Sequence, residues 1–124
     1  MKKSLITTLL ILVTICAYAW GPTGHRVTGW IADKYINKKV KKELERILGQ
    51  QSLAMATTWM DDVRSDSLYD YTSDWHWVTI PEGKTYQQSD KNSHGDIIET
   101  INRLVAELKT KKLDAKKEAE YLKM

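Results

Sequence analysis

From Pro22 onward the apolar residues recur at helical intervals. Val27, Trp30, Ile31 and Tyr35 fall three and four apart, and Pro22 suits a first turn, so the pattern predicts a helix over about 23–36. Asn37 is placed to cap a second helix, in which Val40, Leu44, Ile47 and Leu48 share a face opposite solvated lysines and glutamates, with Gly49 as its stop. In "SLAMATTWMDDVR", Leu53, Ala56, Met60 and Val63 predict a single third helix from about Ser52 to Arg64. The stretch "SDSLYDYTSD" reads as loop. "WHWVTI" is aromatic and β-branched and ends at Pro81-Glu82-Gly83, which predicts an extended segment too isolated to build a sheet. Its period of two would turn Trp75 and Trp77 away from His76. After a polar loop over 84–94, a fourth helix begins near Asp96 with Ile97, Ile101, Leu104, Val105 and Leu108 on its stripe, and Asp114 can cap a fifth, "AKKEAEYLKM". No repeat or linker divides the chain. The expectation is an all-α, mainly helical domain, incomplete at its C-terminal end because the last helix has no stop signal and little apolar surface.

The front of the chain obeys a different rule. Met1-Lys2-Lys3, the apolar "LITTLLILVTIC" and Ala17-Tyr18-Ala19 form the basic, hydrophobic and cleavage regions of a signal peptide over residues 1–19. This predicts a periplasmic or secreted protein whose domain spans 20–124. The apolar run is short for a membrane span, and bulky Ile15 before Cys16 argues against a lipid-attachment site. Cys16 is the chain's one cysteine, so the mature protein has no disulfide or thiolate ligand, and any metal must be held by nitrogen and oxygen. Loss of Lys2 and Lys3 takes the net charge from +3 to about +1, too balanced to indicate a nucleic-acid binder by electrostatics alone. A chain of this size can bury roughly two-thirds of its unfolded surface, which allows a modest core.

Cleavage after Ala19 would make Trp20 the first residue. Its α-amine, less basic than a lysine, and its own carbonyl oxygen can close a five-membered chelate on a metal. His25 can add a third ligand if "GPTG" bends the chain; otherwise it is a surface or hydrogen-bonded helix histidine. Asp61 and Asp62 point about 100° apart on a helix, so only one can share a site with His25, and Asp62 is the better candidate for solvent. His76, between two tryptophans, reads either as a metal ligand or as a caged core histidine. Arg64, one turn beyond Asp61, is either an ion-pair partner or an anion clamp. Trp77 offers a face on which a base could stack, or else belongs to the core. His94, in a polar loop, reads as solvated.

Taken together, "WGPTGHRVTGWIA", "TTWMDDVR" and "YTSDWHWVTIP" resemble, in order and separation, the zinc-dependent single-strand-specific endonucleases of the S-one/P-one family, relatives of bacterial zinc phospholipase C. The resemblance covers residues 20–124 and the front portion of a typical member. It implies a helical phospholipase C/nuclease-type fold holding up to three zinc ions. Trp20 and His25 would serve one ion, and Asp61 and His76 a second. It implies a catalytic role for Arg64 near the scissile phosphate, and substrate contacts for Trp77, stacking on a base, and for Thr79, where some members read the base with an acidic or amide side chain. The histidine- and aspartate-rich segment that supplies the remaining ligands in the family has no counterpart here.

The resemblance thus leads to the expectation of an endonuclease and 3′-nucleotidase that hydrolyses single-stranded DNA and RNA to 5′-phosphorylated products. It would be monomeric and without stable membrane association, and this chain would by itself be an inactive fragment. Two rivals stand beside it: a phospholipase C-like hydrolase, and a non-catalytic secreted helical protein.

Overall fold

The computed structural model describes residues 21–124; the leader expected over 1–19, its cleavage site and Trp20 lie outside the described residues. The elements are α1 (Pro22–Tyr35), α2 (Lys38–Leu48), the short α3 (Leu53–Ala56) and α4 (Trp59–Asp62), a 3₁₀ run (Ser67–His76), a 3₁₀ turn (Tyr86–Gln88), α5 (Ile97–Thr110) and α6 (Ala115–Lys123). No strand occurs among the described residues, so the all-α expectation holds.

Local chemistry sets the boundaries. Asn37, Asp96 and Asp114 cap α2, α5 and α6 by accepting from backbone N–H groups of the first turn, as the sequence predicts for Asn37 and Asp114, while for Asp96 it marks only a nearby helix start. Gly49 ends α2 at a φ of 63°, a conformation other residues adopt at a cost.

Three expectations are corrected. The predicted third helix is broken at Thr57–Thr58. The Thr57 hydroxyl donates to the Ala54 carbonyl at 2.7 Å, and the Thr58 hydroxyl donates to Asp62 Oδ2 at 2.9 Å with the Met55 carbonyl 3.3 Å away. Such hydroxyl contacts to the preceding turn compete with a regular helix and bend it. The stretch read as loop is the 3₁₀ run, started by Asp66, whose side chain accepts from Leu68 N. That run includes Trp75 and His76, and only from Trp77, at φ −147° and ψ 165°, is the chain extended. A period of two therefore does not govern Trp75, His76 and Trp77. The residues whose spacing predicts α1, Val27, Trp30, Ile31 and Tyr35, are exposed, and the helix buries Gly29.

The reason is the way α1 packs. At Gly29 it lies so close to α3 that a Cβ would stand 2.8 Å from both Ala54 Cα and Thr57 Cγ2. Only a glycine face permits that approach. Elsewhere α5 packs on the 3₁₀ run and on α6, while α2 touches α3 and α6. Ala56 and Leu104 are the buried apolar residues among those described, so polar links share the work of holding the elements together. Arg46 bonds Glu43 and Glu118, joining α2 to α6. The Tyr69 hydroxyl donates to Glu120 at 2.9 Å, tying the 3₁₀ run to α6 and raising the tyrosine's pKa.

Candidate metal centre

His25 lies on the first turn of α1, behind Pro22, and its N–H closes onto the Gly21 carbonyl. Its Nε2 is 3.2 Å from Asp61 Oδ2 on α4, and both side chains are partly exposed. The contact arises from the packing at Gly29. His25 is one turn before that glycine, and Asp61 is four residues beyond Thr57, which the glycine touches. A nitrogen and a carboxylate oxygen thus converge from two helices that are distant in sequence. The resemblance had assigned them to different ions; the structure places them in contact with each other.

The two neighbouring aspartates divide as their helical directions require. Asp61 turns to His25, whereas Asp62 turns back to the Thr58 hydroxyl, which is almost wholly buried. Asp62 is exposed, as expected, and it also serves α4 as the acceptor for that hydroxyl.

His76 closes the 3₁₀ run. Its Nδ1 is 3.2 Å from the Thr72 carbonyl. A carbonyl oxygen only accepts, so Nδ1 carries the proton, and in the neutral ring the lone pair is on Nε2. That Nε2 is buried and has no hydrogen-bond partner among the described residues. Buried polar nitrogens rarely stay unpaired, and a ligating histidine commonly fixes its tautomer through its other nitrogen in this manner. The donor chemistry at His76 therefore fits zinc, as does the nitrogen and oxygen pair of His25 and Asp61. Among the described residues no three His, Cys, Asp or Glu side chains gather into a complete metal group.

The other described residues that the sequence singles out are exposed. Arg64 is exposed, and its side chain makes no ion pair with Asp61; the two are linked only by the backbone bond from Arg64 N to the Asp61 carbonyl. Trp77 is 51% exposed, a level incompatible with a core tryptophan. Thr79 is exposed two residues further along the extended stretch. His94 is exposed, as expected, and its Nδ1 is 3.2 Å from Asp74 Oδ2.

Thr72 carries no signal in the sequence read as a loop. Its carbonyl sets the ring of His76, and the spacing of four residues becomes informative only once the segment is recognised as helical. The long-range partners of Trp75, His94 and Arg103, have no local signal at all.

The family model described as S1/P1 Nuclease matches residues 20–124, a span that includes every residue named in this site. No curated protein and no solved structure gives a match.

Proposed function

The chain belongs to the S1/P1 nuclease family, and from that premise we propose that it carries the front part of an exported, zinc-dependent phosphodiesterase acting on single-stranded DNA and RNA, with 3′-nucleotidase activity and 5′-phosphorylated products. The observation that carries the metal part of this reading is the Nε2 of His76, buried without a hydrogen-bond partner among the described residues and held by the Thr72 carbonyl in the tautomer a ligand needs.

His76, His25 and Asp61 would hold zinc, together with the amine and carbonyl oxygen of Trp20 once the leader is removed. Bound zinc supplies Lewis acidity toward water and the phosphoryl group. The protein's own contributions are separate. Arg64, with no carboxylate of the described residues engaging its guanidinium, is available to two phosphoryl oxygens at once. Trp77 presents an open ring face on which a base can stack, a contact worth about 1–3 kcal/mol and tolerant of base identity. Thr79, exposed beside it, can exchange a hydrogen bond with the base edge.

Four protein ligands do not satisfy three ions, so residues 1–124 alone are expected to bind zinc weakly and to turn over nothing measurable. A complete family member carrying this front end should cleave single-stranded DNA, lose that activity to a chelator and regain it with zinc, and leave phosphatidylcholine intact. Release of phosphocholine without nucleic-acid cleavage would replace the nuclease reading by the phospholipase one. N-terminal sequencing of the exported protein should begin at Trp20, and any other start removes that residue from the ligand set.

A further inference from the structure

The residues on either side of His76 are both bonded to one short segment on another element. The Trp75 indole N–H donates to the His94 carbonyl at 3.1 Å. The Trp77 carbonyl accepts from Ile97 N at 3.2 Å. Residues 94–97 lead directly into α5, where Asp96 fixes them by accepting from Ile98 N and Glu99 N at 2.9 and 3.0 Å. The backbone of His76 is thus spanned by two tethers to the start of α5, while its ring is held from the other side by Thr72.

The indole of Trp75 is itself closely set. Arg103, from the middle of α5, places its guanidinium carbon 4.5 Å from the Trp75 ring centroid, and Tyr71 meets the ring edge-on with centroids 5.2 Å apart. Gly95 adopts a φ of 90°, and a Cβ there would stand 3.4 Å from the indole nitrogen. The space would admit a Cβ in ordinary contact, and it is the positive φ that calls for glycine where the loop presents the His94 carbonyl to Trp75. The His94–Asp74 contact adds to the same seam, but His94 is largely exposed and the contact is screened.

We infer that Trp75 is a positioning residue for His76: its N–H bond to His94, with Arg103 over its ring, holds the end of the 3₁₀ run so that the His76 Nε2 lone pair keeps one direction. The inference rests on the reading of His76 as a zinc ligand. An imidazole lone pair lies in the ring plane, so affinity for a metal falls when the ring is free to turn. Trp75 need not touch substrate or metal for this effect.

The test uses the full chain and two variants. Trp75→Phe keeps an aromatic ring beneath Arg103 and removes the N–H. Arg103→Met alters a partly exposed side chain and leaves the indole bond in place, so it carries the test should Trp75→Phe fail to fold by circular dichroism. Imidazole ¹H–¹⁵N spectra of the metal-free proteins should show His76 as a single Nδ1–H tautomer in the natural chain and shifted toward a tautomer average in each variant. Calorimetric titration with zinc chloride should show an affinity about tenfold weaker in Trp75→Phe and a smaller loss in Arg103→Met. His76 ring signals unchanged in both variants, or zinc affinities within about twofold of the natural chain in both, overturn the inference. If zinc leaves the His76 signals of the natural chain unmoved, His76 is not a ligand and the metal reading fails, a result distinct from a failure of the tethers, which the metal-free spectra report alone.

Discussion

Gly29 and Ala54 meet backbone to backbone, with a notional glycine Cβ only 2.8 Å from Ala54 Cα. That contact sets α1 on α3 and brings His25 within 3.2 Å of Asp61. The site therefore depends on a residue with no chemistry of its own.

Gly29→Ala tests the dependence. In an unhindered helix the change would stabilise by about 0.5–1 kcal/mol. Here the new methyl meets the backbone of Ala54 and the Leu53 carbonyl, atoms that cannot swing away, and overpacking of this kind costs about 1–3 kcal/mol. The steric term wins. Urea denaturation should show a net loss of about 1–2 kcal/mol, and the His25 ring signals should move as α1 is pushed off α3. A stabilised variant would mean that the two helices do not approach this closely.

The range of each interaction decides whether the sequence discloses it. The caps at Asn37 and Asp114 and the stop at Gly49 act within one turn, and each is legible where it stands. The break at Thr57–Thr58 is equally local but hidden, because the apolar spacing of Leu53, Ala56, Met60 and Val63 continues across it while the hydroxyls compete for the helix carbonyls. The 3₁₀ run from Ser67 to His76 has no apolar stripe of period 3.6, since its turns have three residues. His25, Asp61 and His76 are visible as candidates by residue type and motif. The contact between His25 and Asp61 is not, because it depends on Gly29, and a glycine within "VTGWIA" does not announce which helix it will touch.

The stability of the α5 start should depend on acid in a defined direction. Asp96 accepts from Glu99 N, Ile98 N and the Tyr86 hydroxyl, and these bonds, the one from Glu99 first, hold its carboxyl below the ordinary 3.8. A carboxyl depressed in the folded state stabilises fully above its unfolded value, and this contribution fades as pH falls through the folded one. Asp96→Asn should therefore be less stable than the natural chain at pH 7, and the difference should shrink as pH falls below about 3.9. Thermal melts at pH 7, 4 and 2.5 check this. A difference that grows toward low pH contradicts the network.

Trp77→Ala should weaken binding of a short single-stranded oligonucleotide while leaving the melting temperature nearly unchanged, because the ring is half exposed and closes no core. A stacking loss of about 1–3 kcal/mol corresponds to a Kd roughly 5- to 150-fold higher. Fluorescence titration with oligothymidylate in the natural chain and the variant measures it. Equal affinities would remove Trp77 from the substrate surface.

Asp61 and Asp62 offer the sharpest comparison, since one helix turn sends adjacent carboxylates to different tasks. Asp61 Oδ2 lies against His25 Nε2, so Asp61→Asn replaces an anionic oxygen donor by an amide of the same size and removes charge where the metal would sit. Zinc affinity should fall about tenfold or more, because losing a ligand costs at least as much as losing one of the outer partners, typically ~10–100-fold. Asp62 accepts from the buried Thr58 hydroxyl, and the amide oxygen of Asn can accept the same bond. Asp62→Asn should therefore keep zinc affinity and lose about 1 kcal/mol of stability at most, the difference between a charged and a neutral acceptor. The decisive third variant is Asp62→Ala, which leaves the Thr58 hydroxyl without its carboxylate; it should destabilise more than Asp62→Asn and still bind zinc as the natural chain does. Should Asp62→Asn weaken zinc as much as Asp61→Asn, the two carboxylates act on one ion, and the division of roles along this turn is wrong.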